Sequence, residues 1–389
     1  MQYVTDAKSE NELSILGFGC MRFPLDKSKT EQLIVTAVEA GVNYFDTGYI
    51  YGNSEATLGD ILTKHGLRNF VYIATKLPHQ KCKEPGDLDR IFQEQLDRLK
   101  SSVIDYYLIH NLSNLYTWEY LCDLGIEEWI AQKKKTGEIR QIGFSFHGTN
   151  DEFMKLIDIY DWDLCQIQYN YMDENYQAGR EGLRRAHEKG IMVVIMEPLL
   201  GGKLANGLPA KAAKIFKEAD SGYSPATWAF RWLWNQPEVS VVLSGMNSMD
   251  QLQDNLNTAK EAKPGMLSEK EAATYVPVIS AFREAYRVPC TGCNYCMPCP
   301  RGVNIPGCFA GYNTSYALGF VAGFTQYLTS TGANGKKVQY RPSNCVSCGE
   351  CEKKCPQHIE IPKTLLTVKK RMEPFWFKPL LWIVQKFMG

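Results

Sequence analysis

The sequence predicts an α/β protein in two parts, a (β/α)8 TIM barrel followed by a small, mainly α-helical domain. Three observations carry that prediction. Up to about residue 265, short apolar runs alternate with amphipathic helical stretches, and eight such pairs can be counted. The strand-like runs are β-branched or aromatic with little polar alternation, as parallel strands buried on both faces require. Of the 13 cysteines, only Cys20, Cys82, Cys122 and Cys165 precede residue 290, and the other nine crowd into positions 290–355. That shift in composition marks a boundary, giving a barrel over 1–265 and a second domain over 266–389.

The elements follow in order. Strands are predicted at 15–18, 43–45, 71–75, 106–109, 141–144, 165–168, 192–196 and 239–243. Helical periodicity falls between them at 30–40, 54–64, 88–99, 126–135, 152–159, 179–189, 225–234 and 248–256. Gly41, Gly137 and Gly190 stand just past three of these helices, where a left-handed cap is wanted. A doubly wound open sheet would carry a glycine-rich fingerprint after its first strand. Gly17-Phe-Gly19-Cys20-Met21-Arg22 does not complete G-x-G-x-x-G, which leaves the barrel as the better reading. Beyond it, 268–286 reads as a helix. The segment 307–331, rich in Ala, Gly, Leu and aromatics, reads as a helix or two rather than a short β-loop.

Composition narrows the classes of function. Lys+Arg and Asp+Glu balance at 43 each, so no long-range field favours nucleic acid. At 44% hydrophobic and 22% charged, the chain has the make-up of an ordinary globular protein. The first residues lack the basic and apolar regions of a secretory signal, and no run reaches the roughly 18 uncharged apolar residues that span a bilayer. The expected location is therefore cytoplasmic, where thiols stay reduced and a dense cysteine cluster favours metal over disulfides.

The second cysteine run, Cys345-x2-Cys348-x2-Cys351-x3-Cys355-Pro356, has the spacing that wraps three thiolates around one 4Fe–4S cluster and sends the fourth to another. A zinc site wants two C-x2-C pairs and has no use for four cysteines in one run. The first run, Cys290-x2-Cys293-x2-Cys296-x2-Cys299-Pro300, has a shorter last gap. Two clusters are expected in a ferredoxin-like domain. In the crossed assignment, Cys290, Cys293, Cys296 and Cys355 hold one, and Cys345, Cys348, Cys351 and Cys299 hold the other. Cys308, a ninth cysteine, reads as a buried helical thiol.

Three segments end early strands of the barrel, where barrel enzymes place their chemistry. They are Phe45-Asp46-Thr-Gly-Tyr-Ile-Tyr51-Gly52, Ala74-Thr75-Lys76 and Leu108-Ile109-His110-Asn111. Each residue has a plainer explanation alone: Asp46 as a helix cap, Lys76 as a rim charge, Tyr51 as packing, His110 as a structural histidine. Together, over about 14–260, they resemble the aldo/keto reductase family, whose Asp, Tyr, Lys and His tetrad runs in that chain order. The chemistry is coherent. A tyrosine, with a pKa around 10, is a poor acid near neutrality. An ammonium at Lys76, held by Asp46, would lower that value, and His110 would orient a carbonyl.

The resemblance implies a small carbonyl or alcohol substrate and NAD(P)H bound without a Rossmann unit. By position it implies carboxamide contacts from Ser145 and Gln166, a place beside the nicotinamide for Met196, an adenine contact from Asn255, and further cofactor contacts from Gly19, Cys20, Met21, Pro198, Leu199, Gly245 and Gln251. Met196 stands where the family has a stacking tyrosine. Gly245 and Gln251 stand where it has cations for a 2′-phosphate, which leaves NADH versus NADPH open and leaves room for another cofactor. His147 reads as either facing the ligand or structural. A cluster passes one electron and a nicotinamide passes a hydride, so a flavin is a further cofactor to consider, although no flavin motif is visible. An external flavoprotein would meet the same need, and a ferredoxin is a further candidate electron partner. The alternative is a non-catalytic or flavin-dependent adaptor in which only the clusters are redox-active. Finally, Lys369-Lys370-Arg371 and the aromatic tail from Glu373 to Gly389 could lie on a membrane surface. Docking on the chain's own barrel, or on a sister subunit in a homodimer, is the plainer expectation.

Overall fold

A computed structural model of the chain describes every residue except 220, 333–338, 378 and 380–389. The chain separates into two compact units. One comprises Met1–Pro198 and Ala226–Leu267, and the other Leu199–Pro225 and Ser268–Gly389.

The first unit opens with an antiparallel hairpin, β1 (Tyr3–Thr5) and β2 (Glu12–Ser14). The next eight strands are β3 (Leu16–Gly19), β4 (Tyr44–Asp46), β5 (Tyr72–Leu77), β6 (Ile104–Ile109), β7 (Ile139–Phe146), β8 (Leu164–Gln168), β9 (Met192–Met196) and β10 (Val241–Ser244). They pair in parallel in chain order, and β10 closes on β3 to complete the barrel. Every residue of β4, β6, β8 and β10 is buried, which is why these runs show no polar alternation. Leu13 of β2 joins a core with Tyr44, Leu164, Met192 and Val241, each the first residue of its strand. The Tyr106 hydroxyl donates to Asp6, 3.1 Å away, between the two hairpin strands. The hairpin thus plugs the N-terminal mouth and leaves the C-terminal mouth for chemistry.

Helices α1 (Lys27–Glu39), α2 (Ser54–Lys64), α3 (Gly86–Leu99), α4 (Leu115–Asp123), α5 (Ile126–Thr136), α6 (Asn150–Leu156) and α7 (Gly179–Glu188) follow the strands in turn. In α3 the apolar positions Leu88, Ile91, Phe92, Leu96 and Leu99 recur at helical spacing and are all buried. The Asp26 carboxylate accepts from Ser28 N and Lys29 N to start α1, and Gly41 follows its end at φ +92°. The hairpin and α4 lie outside the elements expected from sequence.

The second unit takes in the segment between β9 and helix α10 (Pro225–Trp234), which contains α8 (Lys203–Asn206) and α9 (Ala210–Glu218). The boundary expected at residue 265 puts this segment in the barrel, whereas its contacts put it in the second unit. After α11 (Met249–Glu261), which belongs to the first unit, come α12 (Glu269–Ala285), α13 (Ile305–Ala317), α14 (Phe320–Thr331) and α15 (Ile361–Met372). Ser268 begins α12 with a reciprocal cap: its hydroxyl accepts from Glu271 N, and the Glu271 carboxylate accepts from Ser268 N. Within this unit the Lys203 ammonium donates to the Cys290 carbonyl and the Tyr286 hydroxyl to the Gly207 carbonyl. The expected helix or two at 307–331 is two, broken where Gly319 takes φ +96°. Among the described residues, no helix is long and apolar enough to cross a membrane. Residues 380–389 of the aromatic tail lie outside the described residues.

Candidate functional site

The C-terminal ends of β4, β5 and β6 bring the four tetrad residues together. Asp46 is the last residue of β4, Tyr51 sits in the loop behind it, Lys76 is the next to last residue of β5, and His110 directly follows β6. The Lys76 ammonium donates to both Asp46 carboxylate oxygens, at 2.7 and 2.8 Å, and to the Thr47 carbonyl at 2.6 Å. Lys76 is only 1% exposed, so it is no solvated rim charge. A lysine this deep needs a paired counter-charge, and Asp46 supplies it. The ammonium lies 5.2 Å from the centre of the Tyr51 ring, and the ring meets His110 edge-on at 5.6 Å. Burial first, then the positive charge of Lys76, hold His110 well below the usual histidine range, so its imidazole is neutral.

A second ring of contacts fixes these groups. The Gln166 amide, from β8, donates to Asp46 at 2.9 Å. Glu55 of α2 is 1% exposed and accepts from Thr75, Gln95 and Arg98, while the Gln95 amide also donates to the Lys76 carbonyl. The strand that carries Lys76 is thereby tied to two helices. Sequence reading missed Glu55, although a glutamate on the apolar face of a helix is a signal of this kind. It also missed His79, in the turn after β5, which contributes to the field at His110 and is itself pushed down to about 4 by burial and by Lys83.

The residues expected to hold a nucleotide are spread over several strand ends. The Ser145 hydroxyl on β7 accepts from Asn111 N at 2.8 Å, which leaves its proton to donate elsewhere. One hydrogen of the Gln166 amide is committed to Asp46, and its remaining capacity could meet a carboxamide. Gly19 and Met21 are half-buried and Cys20 is buried, with its thiol raised by burial and by the Asp46 carboxylate, against the pull of Lys76. Met196 is half-buried and Pro198 buried, whereas Leu199 belongs to the second unit. Asn255 of α11 is buried and donates to the Ser244 hydroxyl at 2.9 Å. Gly245 is exposed, and the Gln251 side chain accepts from Asn247 N at 3.0 Å. Neither of those two positions offers a cation. These groups are uncharged, and their hydrogen-bonding capacity fits the neutral parts of a nicotinamide nucleotide. His147 follows β7, is 9% exposed and lies 3.2 Å through Nδ1 from the Gln177 side-chain oxygen Oε1.

In the second unit the cysteines sort into two groups. Burial, then the neighbouring Cys290, Cys293 and Cys355, push the Cys296 thiol up to about 12. Burial pushes Cys351 up to about 11, with Cys345 and Cys299 adding to it. Cys296 thus has Cys290, Cys293 and Cys355 as neighbours, and Cys351 has Cys345 and Cys299. Cys348 is exposed, and Cys308 is fully buried on α13. Three backbone N–H groups, from Ile359, Gln357 and His358, act on the Cys355 sulfur against its burial. Among the described residues, no group of three or more Cys, His, Asp or Glu side chains converges as one metal ion requires. Two sets of soft sulfur donors with N–H support fit clusters.

Comparison with known proteins agrees with both halves. Residues 15–270 match the aldo/keto reductase family, and residues 289–360 match a 4Fe–4S dicluster domain. The uncharacterized oxidoreductase YqkF of Bacillus subtilis is 26% identical over 68% of this chain and 92% of its own. The 6-dehydroglucose reductase of Novosphingobium aromaticivorans is 27% identical over 61% of this chain and 82% of its own. Among solved structures, the holo form of aldo-keto reductase AKR11C1 from Bacillus halodurans shares the barrel fold, with a TM-score of 0.59 and 24% identity, covering 71% of this chain and 95% of that one.

Proposed function

The chain belongs to the aldo/keto reductase family and carries a 4Fe–4S dicluster domain, and from that premise we propose that its barrel interconverts a small-molecule carbonyl and alcohol using a nicotinamide cofactor, with the clusters relaying electrons. One observation supports the barrel chemistry above the rest. A buried lysine, charge-paired to Asp46, faces Tyr51 beside a histidine held neutral. When bound, the nicotinamide supplies or accepts the hydride. Reduction then needs one proton at the substrate oxygen, and Tyr51 is the group that would give it. The Lys76 ammonium favours the tyrosinate left behind, which makes the hydroxyl a stronger acid. His110, neutral, cannot be the acid at this step, and its role is to donate a hydrogen bond that positions the carbonyl. Ser145 and Gln166 would hold the carboxamide, and Asn255 the adenosine end.

The relay has a stoichiometric demand. A hydride is two electrons and a cluster carries one, so a carrier that handles both one and two electrons, such as a flavoprotein partner, must connect the clusters to the nicotinamide, while a ferredoxin would exchange single electrons with the clusters. An adaptor whose barrel is inert would have no need of a buried ion pair aimed at Tyr51, and desolvating that pair is costly. The test is Tyr51→Phe, which removes the proton donor and almost no volume. Carbonyl reduction should fall by about 10²–10⁴ while nicotinamide affinity, read by fluorescence, stays within about twofold. A variant that keeps more than about a tenth of the activity would refute the assignment.

A further inference from the structure

The second unit has a face that neither clusters nor barrel chemistry uses. Residues 285–349 contain no aspartate or glutamate, and α13 and α14 lie wholly within that run. The last turn of α15 adds Lys369, Lys370 and Arg371. Arg371 is structural: its guanidinium stands 3.9 Å over the Tyr316 ring and donates to the Ser315 hydroxyl at 2.7 Å, tying α15 to α13. Lys369 and Lys370 are exposed. The acid that follows them, Glu373, is committed elsewhere. It accepts from the Tyr327 hydroxyl at 2.6 Å, lies 3.4 Å from the Arg341 guanidinium, and its side chain is 6% exposed. Among the described residues, Lys369 and Lys370 have no ion-pair partner, and the run 285–349 supplies no carboxylate.

Large apolar side chains stand beside those cations. Leu318 and Val321, at the turn between α13 and α14, are 64% and 78% exposed. Leu366 on α15 is 57% exposed, and Phe375, just beyond it, is 93% exposed. A depression of about 570 Å³, lined by Tyr316, Phe320, Lys370, Arg371 and Trp376 among others, lies where the ends of α13 and α14 meet α15, with Leu318, Val321, Leu366 and Phe375 close in sequence to its lining. Trp376 leans edge-on against Phe324 at 5.3 Å, the amphipathic placement favoured at a water–lipid boundary. Exposed apolar groups singly need no explanation, but several of them contiguous with unpaired lysines mark an interaction surface.

We infer that this face docks peripherally on a bilayer of anionic phospholipid. Lysines beside an apolar patch match negatively charged headgroups above acyl chains. An acidic electron-transfer protein would satisfy the lysines, but such encounter surfaces are small and polar and give four protruding apolar side chains no partner. Contact is interfacial, since no described helix can span.

The experiment uses the full-length, anaerobically purified holoprotein and vesicle flotation at about 0.1 M salt. Vesicles are phosphatidylcholine alone or with one quarter phosphatidylglycerol. Binding to the anionic vesicles should exceed binding to the neutral ones by roughly tenfold or more and should weaken in high salt. Reversing Lys369→Glu with Lys370→Glu should lower it by at least about tenfold, and Leu366→Ser with Phe375→Ser should lower it on both vesicle types. Unchanged iron content shows that each variant is folded. A chain ending at Pro379 should still bind anionic vesicles, and should lose that binding when both lysines are reversed. Equal affinity for both vesicle types, indifference to the substitutions, or flotation only through residues 380–389 would each overturn the inference. Binding to a reduced ferredoxin without binding to vesicles would also overturn it.

Discussion

At the scale of single residues, the barrel's chemistry rests on which groups hold a proton. His79 has its pKa pushed down to about 4, mainly by burial. In the unfolded chain the same imidazole titrates near 6.5. Above that pH neither state holds the proton. Between about 6.5 and 4 the unfolded chain does and the folded one does not, so stability rises with pH and is lost on acidification through that window. The loss traceable to His79 should be on the order of 2 kcal/mol at pH 5. Urea midpoints at pH 7 and pH 5 should differ less in His79→Gln than in the native chain, and an equal gap would rule this out. The cofactor makes a second prediction. With Gly245 exposed and Gln251 occupied by Asn247 N, no cation stands at either position for a 2′-phosphate. NADH should bind as well as NADPH or better when both constants are measured at one ionic strength. A tenfold preference for NADPH would mean that another side chain, such as Lys260, supplies the charge.

At the scale of elements, α13 and α14 approach closely enough that a side chain cannot fit between them. A Cβ on Gly323 would fall 2.2 Å from Ser315 N, and one on Gly311 would fall 2.7 Å from the Tyr327 Cβ. Gly323→Ala should therefore force the hairpin apart, destabilise the second unit by about 1–3 kcal/mol, and reduce the iron retained after gel filtration. Full iron with native thermal stability would contradict it. What could be read from sequence divides along similar physical lines. The eight barrel strands were legible because burial on both faces leaves an unbroken apolar signature, as in Ile104–Ile109. The strands Tyr3–Thr5 and Glu12–Ser14 were not, because three residues give no periodicity. Helix Ile361–Met372 escaped notice because it begins only six residues after Cys355, in a stretch dominated by the cysteine spacing. The tetrad could be picked out because its order along the chain follows the strand order. The hold of Gln166 on Asp46 could not, since it spans 120 positions and depends on barrel closure.

At the scale of the whole molecule, the number of clusters sets the electron count. Anaerobically purified protein should contain about eight iron and eight sulfide. Cys355 neighbours Cys296, itself close to Cys290 and Cys293, so Cys355→Ser should cost one cluster and leave about four iron. In that variant, turnover driven by a reduced ferredoxin should fall while NADH-driven carbonyl reduction persists. Equal loss of both would point to a structural role, and loss of neither would remove the clusters from turnover.

The segment 199–225 has a further consequence. It leaves the barrel after β9, belongs to the second unit, and returns at α10, so the peptide chain passes between the units three times, at 198/199, 225/226 and 267/268. The two units are therefore interleaved along the sequence, and gene rearrangement at a single point cannot exchange one for another. A recombinant that takes a foreign iron–sulfur module after residue 267 keeps α8 and α9 of the old one, stranded without Tyr286 and Cys290 to receive them. Lineages that inherited this architecture would have had to acquire the loop and the module together, or let one evolve around the other in place.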